Sequence, residues 1–235
     1  MPALQSVPGL RVATVAAGIK KPGRKDLVLF ELDPGTTCAA VFTRNAFCAA
    51  PVTVAREHLA ATEHRPRYLL VNTGNANAGT GQPGIDAARA CTAAVADAAG
   101  VEPAQVLPFS TGVIGEPLPV SPIVDAIPAA VVALADDGWA DAAAGIMTTD
   151  TRPKGLSVSF KCDGRDYVVT GIAKGAGMIR PNMATMLAFL ATDMAVAPTL
   201  LQQLLAACVE TTFNRVTEDG DTSTNDSCLL LATGA

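Results

Sequence analysis

The residues that could do chemistry in this chain are mainly threonines and one lysine, because histidine is almost absent. The two histidines, His58 and His64, both lie in the polar stretch "REHLAATEHRPR". Their spacing of six residues does not place them on one face of a helix, and surface positions are predicted for both. A Ser-His-Asp or Cys-His nucleophile and a histidine-rich metal site are therefore not indicated.

Thr185 carries a lone hydroxyl in the apolar run "ATMLAFLATD" at residues 184–193. A threonine that begins a chain can use its own α-amino group as the base, with an ordinary pKa of about 7.7–8.0. An internal threonine gains that amine only if the bond before it is cut. The residues alone leave two interpretations open: a nucleophile released by cleavage of the Ala184–Thr185 bond, or an ordinary strand threonine.

Phosphate-binding motifs are not evident. The sequence has no GxxxxGK[ST] and no GxGxxG at a strand-to-helix turn, and "KGAG" at 174–177 is too short to indicate a phosphate loop. The basic cluster "KKPGRK" at 20–25 contains proline and glycine, which is typical of a solvated turn more than of an anion site. The loop "NTGNANAGTG" at 72–81 could present backbone N–H groups or be an ordinary turn cluster.

Composition narrows the class of protein. The 235 residues are 49% hydrophobic and 17% charged, enough for one large domain or two small ones with a substantial core. A net charge of −5 and only 4% aromatic residues do not favour nucleic acid as a partner. Six cysteines without a CxxC pair predict reduced thiols and a cytoplasmic protein. Neither a signal peptide nor a membrane span is expected.

The candidate residues must be positioned by an irregular series of strands and helices. Apolar segments around "DPG" at 33–35, and others around the Asp163–Gly164 turn signal, predict two β-hairpins. This order predicts an α+β fold with mixed sheets and not a doubly wound one. Single strands are expected at 26–32, 36–43, 67–74, 184–193 and 227–235, a short strand ending in a Gly/Pro loop at 105–119, and two strands at 156–175. Helices are expected at 85–100 and 198–214, and a mostly helical stretch that Pro128 could kink at 121–146.

Five collinear motifs resemble the ornithine acetyltransferase (glutamate N-acetyltransferase, or ArgJ) family of arginine biosynthesis. They are "VNTGNANAGTG" at 71–81, "STGVIGEPLP" at 110–119, "MTTDTRPK" at 147–154, "KGAGMIRPNMATMLAFLATD" at 174–193 and "EDGDTSTND" at 218–226. The resemblance covers essentially the whole chain, and long motifs in a fixed order are far more specific than one short pattern.

The resemblance implies a precursor that cleaves itself between Ala184 and Thr185. Thr185 would then take acetyl from N2-acetyl-L-ornithine and pass it to L-glutamate, with no metal or organic cofactor. Some members also use acetyl-CoA as the donor. The implied fold is an α/β/β/α sandwich with helices outside mixed sheets. It resembles N-terminal-nucleophile hydrolases in logic but differs in connectivity.

Individual roles also follow from the resemblance. Thr185 matches the nucleophile, and Thr111 with Gly112 matches the pair that stabilises the oxyanion. Thr148 and Lys174 match substrate-binding positions. A hydroxyl and a backbone N–H on a glycine-containing turn are suited to a developing oxyanion, and a lysine can pair with a carboxylate or disfavour protonation of a nearby amine.

The resemblance further implies two fragments, residues 1–184 (α) and 185–235 (the start of β), assembled as an (αβ)2 tetramer without nucleic acid or membrane. The family's remaining substrate-binding residues would lie beyond Ala235. Two alternatives stay open: a self-processed threonine amidase or aminopeptidase that uses water as acceptor, and a truncated, inactive relative that only binds amino acids.

Overall fold

The computed structural model describes residues 1–179 and 186–235. The strands are β1 Leu10–Val15, β2 Leu27–Leu32, β3 Thr37–Phe42, β4 Tyr68–Asn75, β5 Val106–Val113, β6 Lys154–Cys162, β7 Arg165–Lys174, β8 Leu187–Thr192 and β9 Ser227–Ala232. The helices are α1 Ala50–Ala61, α2 Gly81–Ala99, α3 Val120–Val132, α4 Trp139–Gly145 and α5 Pro198–Thr211. Short 3₁₀ turns lie at 103–105 and 213–215.

Two mixed sheets form the centre of the fold. The first has the strand order β1-β2-β4-β5, and only the β4–β5 pair is parallel. The second has the order β3-β9-β8-β7-β6, and only the β8–β9 pair is parallel. Parallel strands end at the same edge of a sheet, so each parallel pair brings two strand ends, and the loops that follow them, close together.

Strand β2, which is apolar at every position except Glu31, shows why the central strands are so hydrophobic. Val28, Phe30 and Leu32 point into the layer between the sheets, whereas Leu27 and Leu29 point to the outer face of the first sheet. Successive strand residues face opposite sides, and both sides are covered. A strand buried on both faces therefore reads as a continuous hydrophobic run.

Aromatic side chains join the two sheets. Phe189 of β8 lies 5.2 Å from Phe30 and 5.3 Å from Phe109 between ring centroids, and Trp139 of α4 lies 5.8 Å from Phe30. All four side chains are almost completely buried. Such contacts add to the stabilisation from apolar burial, so this cluster fixes the two sheets against each other.

Helices cover the outer faces. Residues of α2 and α3, including Val95 and Ile127, pack on the first sheet. Residues of α5, including Leu201 and Leu205, pack on the second. Helices α1 and α4 contribute to the core between the sheets. The predicted α+β class, with helices outside two mixed sheets in an α/β/β/α sandwich, is confirmed.

The hairpin predicted around residues 33–35 is wrong. Strand β2 pairs with β1 and β4, whereas β3 pairs with β9 in the other sheet. Turn residues specify a change of chain direction but not the neighbour of each strand, and both edges of β2 are already occupied. The hairpin predicted at 163–164 is confirmed, because β6 pairs with β7 around that turn.

Most other predicted elements have a counterpart, but the helical stretch predicted at 121–146 is divided into α3 and α4. Helix α2 ends at Gly100, which adopts the left-handed conformation predicted for a stop signal. The strand β1 and the helix α1 had no counterpart among the predicted elements. Within the described residues, no helix combines the length and hydrophobicity needed to cross a membrane.

Candidate active site

A cavity of about 550 Å³ opens at the carboxyl ends of β4, β5 and β7. Its walls bring together side chains and backbone from six separate parts of the sequence. They are Lys20, Lys21, Arg24, Gly74, Ala76, Thr111, Gly112, Val113, Ile114, Thr148, Thr149, Lys174, Gly177, Met178, Asp219, Asp221, Ser223, Thr224 and Asn225.

The floor of the cavity is the parallel pair β4–β5. Thr73 lies opposite Thr111 and Gly74 lies opposite Gly112, with a register shift at the following residue, Asn75. Gly112 has a φ of +139°, and a Cβ there would lie only 2.3 Å from the carbonyl carbon of Gly74. A residue with a side chain would not fit, so glycine allows the two strand ends to approach this closely.

Lys174 is the last residue of β7, and its ammonium reaches across to β5. Its Nζ donates a hydrogen bond of 2.5 Å to Thr111 Oγ1. Both residues are only 5% exposed. Burial lowers the pKa of Lys174 to about 8, although the carboxylates of Asp150 and Asp226 oppose this effect. A cation thus lies next to a hydroxyl whose own proton remains available to the cavity.

Asp150 holds together two of the loops around the cavity. Its Oδ1 accepts hydrogen bonds from the backbone N–H of Gly175 (2.8 Å) and from Lys154 Nζ (2.5 Å). Its Oδ2 accepts a longer bond, 3.4 Å, from the N–H of Thr148. Burial alone would raise the pKa of this carboxyl, but Lys154 and the backbone donors lower it below its ordinary value. Asp150 therefore stays ionised and links the loop of Thr148 to the end of β7.

The segment 223–226 forms another wall. Asn225 Nδ2 donates to the carbonyl oxygens of Ala76 (2.7 Å) and Ser110 (2.9 Å), which follow β4 and belong to β5. Asp226 is almost fully buried, and its Oδ1 accepts a 2.7 Å bond from the N–H of Met186. These bonds attach the chain before β9 both to the cavity floor and to the start of β8.

The basic cluster at 20–25 lies at the mouth of the cavity. Lys20 and Lys21 are exposed, as expected for a solvated turn, but both also line the cavity together with Arg24. The guanidinium of Arg24 donates to the carbonyl oxygen of Met147, next to Thr148. The interpretation as a solvated turn alone is therefore incomplete.

Ala184 and Thr185, the predicted cleavage site and nucleophile, lie outside the described residues. The described residues on either side are both attached to the segment 218–227. Ile179 exchanges backbone hydrogen bonds with Glu218 at 2.9 and 2.7 Å, and Met186 is bonded to Asp226 and Ser227. The last described residue before the gap and the first one after it are thus both held by the segment 218–227, which includes the wall at 223–226.

Four of the residues predicted for the site line the same cavity: Thr111, Gly112, Thr148 and Lys174. Their individual roles stay predictions. Sequence reasoning missed Asp150 and Asn225 as organising residues, although both lie inside quoted motifs, "MTTDT" and "STND". Their places inside these motifs were the only sequence signal, and that signal did not separate them from the neighbouring polar residues, because burial and partners are set by the fold.

Other reactive side chains lie elsewhere. His58 Nδ1 lies 2.8 Å from the carbonyl oxygen of Val106, His64 Nδ1 lies 3.1 Å from that of Cys38, and neither histidine lines the cavity. All six cysteines are unpaired, and burial raises the pKa of the Cys91 thiol to about 12. Within residues 1–179 and 186–235, no cluster of potential ligands could hold a metal ion.

The arrangement has the parts needed to stabilise negative charge on an oxygen. Thr111 offers a hydroxyl proton, Gly112 offers a backbone amide at a strand end, and the Lys174 ammonium lies directly behind Thr111. Donors that are fixed before reaction and shielded from water are the most effective way to stabilise an oxyanion. The cavity is therefore suited to acyl transfer from an amide or ester.

Comparisons with known proteins agree with this geometry. The model of the ArgJ family matches residues 11–235. The arginine biosynthesis bifunctional protein ArgJ of Pseudomonas syringae pv. tomato is 57% identical over 234 residues. That match covers 100% of this chain and 57% of the relative. The chain thus spans little more than half the length of the curated relatives it matches.

Two solved structures are similar in fold and sequence. Arginine biosynthesis bifunctional protein ArgJ from Bacillus halodurans has a TM-score of 0.69 at 34% identity, over 78% of this chain and 95% of that one. An ornithine acetyltransferase from Mycobacterium tuberculosis, solved in complex with ornithine, has a TM-score of 0.65 at 32% identity. That match covers 80% of this chain and 98% of the M. tuberculosis chain.

Proposed function

The chain belongs to the ArgJ family, and from this premise we propose that its cavity transfers acetyl from N2-acetyl-L-ornithine to L-glutamate. The observation that carries the proposal is the convergence of Thr111, Gly112, Thr148 and Lys174 on one cavity. It agrees with the names of the relatives, a bifunctional protein of arginine biosynthesis and an ornithine acetyltransferase complexed with ornithine.

We propose that Thr185 is the nucleophile after cleavage of the Ala184–Thr185 bond. Thr185 Oγ attacks the acetyl carbonyl carbon of acetylornithine, and the α-amino group of Thr185 accepts the hydroxyl proton. Thr111 and Gly112 donate to the resulting oxyanion. The C–N bond then breaks, the proton passes to the departing amine of ornithine, and an acetyl ester remains on Thr185.

Glutamate completes the cycle. Its neutral amine attacks the ester carbonyl carbon, the same donors stabilise the second oxyanion, and the C–O bond to Thr185 breaks. The Thr185 oxygen regains a proton, and N-acetylglutamate leaves. Because acetyl passes through the protein, acetylornithine can acetylate the enzyme without glutamate, and glutamate can take acetyl from the isolated acetyl-enzyme, which is the signature of ping-pong transfer.

The sheet topology supports the proposed division into residues 1–184 and 185–235. Strand β8 follows the proposed cut, yet it pairs with β7 on one side and with β9 on the other. Lys174 lies opposite Leu187 in this register. The two fragments would therefore remain hydrogen-bonded and packed after cleavage, and the position of Lys174 would not depend on an intact chain.

The proposal extends to the (αβ)2 assembly, the cytoplasm as compartment and acetyl-CoA as a second donor. Support for these points comes from the family alone. A hydrolase that uses water as acceptor and an inactive binding protein are the competing functions. They differ from the transferase in the fate of acetyl, which makes the products of the reaction the decisive measurement.

The test combines intact-mass spectrometry with product analysis. The purified protein should consist of two fragments, with the smaller beginning Thr-Met-Leu, and acetylornithine alone should add one acetyl group to it. Addition of glutamate should then release N-acetylglutamate. Thr185→Ala should remain one uncut chain without acetyl transfer, and normal cleavage of that variant would falsify the assignment of Thr185.

A double variant tests the base. If the α-amino group of Thr185 is the base, kcat/KM should rise with pH as that amine loses its proton. This rise should persist when His58 and His64 are both replaced by glutamine, because neither histidine lines the cavity. Loss of that rise would exclude the terminal amine as the base. Release of free acetate in place of N-acetylglutamate would favour the hydrolase.

A further inference from the structure

The mouth of the cavity carries a positive charge that the catalytic steps above do not use. The lining residues include four of cationic type, Lys20, Lys21, Arg24 and Lys174, against two acidic ones, Asp219 and Asp221. With Lys174 protonated, the lining carries a net charge of +2, although the whole chain carries −5. Lys20, Lys21 and Arg24 are called the basic rim below.

The basic rim is held in place by a buried carboxylate. Asp26 is 2% exposed, and it accepts hydrogen bonds from the backbone N–H groups of Ala17 (2.7 Å), Gly18 (3.3 Å) and Ile19 (2.7 Å). Lys20, the first residue of the basic rim, directly follows Ile19 in the sequence. The loop that presents the rim is therefore fixed by three bonds to one side chain, which is more than a solvated turn requires.

The rim lies directly beside the proposed oxyanion site. A Cβ on Gly74 would approach the Cβ of Lys20 to 3.0 Å, so the Lys20 backbone crosses over the strand position paired with Gly112. Arg24 donates to the Met147 carbonyl beside Thr148. The loop thus contacts both the end of β4 at Gly74 and the segment that carries Thr148, a proposed substrate-binding residue.

Lys20 and Lys21 have no carboxylate partner within the described residues. The ion pairs there involve other cations, and the neighbouring Lys25 is among them, with its Nζ 2.5 Å from Asp141. Two exposed ammonium groups at the mouth of a cavity produce a field that attracts anions and repels cations. The charge of an incoming molecule therefore matters at this point.

We propose that the basic rim selects the acceptor that captures acetyl from the enzyme, by favouring an anionic amino acid over a cationic one. The inference rests on the proposed function. Glutamate carries a net charge of −1 and ornithine +1 near neutral pH, because their side chains have opposite charges. Ornithine is the product of the first half-reaction, and it can take the acetyl back. The rim repels ornithine and attracts glutamate, so the acetyl-enzyme is captured by glutamate more often than by ornithine at equal concentrations.

Asp219 and Asp221, the acidic residues of the lining, are exposed as well. Asp219 Oδ2 accepts a 2.7 Å bond from the N–H of Met178, and its Oδ1 accepts one from Asp221 N–H at 3.4 Å. Both carboxylate oxygens of Asp219 thus accept hydrogen bonds from nearby backbone N–H groups. Three cations of the rim face two carboxylates at the mouth, which leaves a net charge of +1 there, and buried Lys174 brings the lining to +2. Loss of the Lys20 and Lys21 charges would reverse the sign at the mouth.

The experiment measures how the acetyl-enzyme divides between two acceptors. The enzyme is acetylated with acetylornithine, excess donor is removed, and an equimolar mixture of isotopically labelled glutamate and ornithine is added. The ratio of N-acetylglutamate to labelled acetylornithine should fall about three- to tenfold in the double variant Lys20→Gln, Lys21→Gln, since each exposed charge interaction is modest. Salt should lower the ratio in the parent protein and have less effect in the variant.

Matched controls separate charge from folding. Lys25→Gln removes a cation from the same loop, but one that is paired with Asp141 and does not line the cavity, so the ratio should not change. Lys20→Arg with Lys21→Arg keeps both charges and should retain most of the selectivity. A ratio that falls equally in the arginine variant would overturn the role of charge.

The remaining outcomes are distinct. An unchanged ratio in the glutamine variant, with normal overall transfer, would overturn the inference and leave the proposed function intact. Slower acetylation by acetyl-CoA, with an unchanged acceptor ratio, would instead assign the rim to phosphates of that donor and overturn selection of the acceptor. Absence of any acetyl transfer in the parent protein would contradict the proposed function itself.

Discussion

Lys174 donates a hydrogen bond of 2.5 Å to the hydroxyl oxygen of Thr111, across the space between the ends of β7 and β5. The two residues belong to different sheets, and 62 residues of sequence separate them. Within a low-dielectric interior, a cation that donates to a hydroxyl strengthens the hydrogen bond that this hydroxyl can donate in turn. The pair therefore connects the charge of Lys174 to the proposed oxyanion site.

Replacement of Thr111 by alanine should lower kcat by roughly 10²–10³ with little change in KM, because an oxyanion donor acts mainly in the transition state. Steady-state kinetics with acetylornithine and glutamate measure this split. Thr111→Ser retains the hydroxyl and should recover most of the activity. A raised KM with unchanged kcat would place Thr111 in ground-state binding instead.

The activity should also fall as the pH rises through about 8, where Lys174 loses its proton. The neutral amine no longer strengthens the Thr111 hydroxyl or attracts a carboxylate. A pH profile of kcat/KM measures the alkaline limb, which reports the free enzyme. Lys174→Arg remains charged and should lack this limb even if its rate is lower. An identical limb in that variant would assign the titration to another group.

Burial of Lys174 also has a consequence for stability. Its pKa in the folded state, about 8, lies below the ordinary value of 10.5. Between these pH values the unfolded chain binds more protons, so the free energy of unfolding should rise with pH over this window. Urea titrations at pH 8 and pH 10 should show this contribution in the parent protein and its loss in Lys174→Met. The same rise in both proteins would show that Lys174 is not its source.

Gly112→Ala should destabilise the fold by at least about 3 kcal/mol and abolish transfer, because strained backbone and an overpacked contact both contribute. The new Cβ would lie 2.5 Å from the backbone nitrogen of Asn75 and 2.6 Å from the carbonyl oxygen of Gly74. Gly115→Ala is the matched control, since its φ is +85° but its Cβ would meet no atom within 4 Å. Equal losses in urea denaturation would show that the close approach of β4 and β5 is not critical.

Asp150→Asn should raise KM for acetylornithine about tenfold, in line with roughly 1.5 kcal/mol for a hydrogen bond to a charged group. The carboxylate of Asp150 accepts hydrogen bonds from Lys154, Gly175 and Thr148, and a neutral amide accepts them more weakly. Both loops at the cavity therefore lose their common anchor. It should also move the alkaline limb to lower pH, because the Asp150 charge raises the pKa of Lys174.

The control for that experiment is Asp166→Asn on β7, in the hairpin that follows Asp150. Asp166 pairs with Lys161 at 2.7 Å, but both side chains are largely exposed. Exposed pairs contribute little, so KM and the pH profile should not change. If the alkaline fall of kcat/KM occurs at the same pH in Asp150→Asn as in the parent protein, the Asp150 charge does not affect the pKa of Lys174, even if KM rises.

The sequence by itself determined the fold class, the family resemblance and most of the elements. Continuous apolar runs such as β9, with Leu229 and Leu231 facing the inter-sheet core and Cys228 facing α5, indicate strands covered on both sides. Local signals were sufficient there, because burial and turn preference act on neighbouring residues. The same holds for Gly100 at the end of α2 and for the turn at 163–164.

Only the tertiary structure decided which strands are neighbours and which polar residues meet. Strand β3 pairs with β9, which lies far away in the sequence, and not with the β2 that precedes it. Asp150 could not be chosen among the acidic residues beforehand, nor could the cations at 20–25 be placed at a cavity mouth. Strand order depends on the summed burial of whole faces, and a buried charge is defined by partners that only folding brings within hydrogen-bond distance.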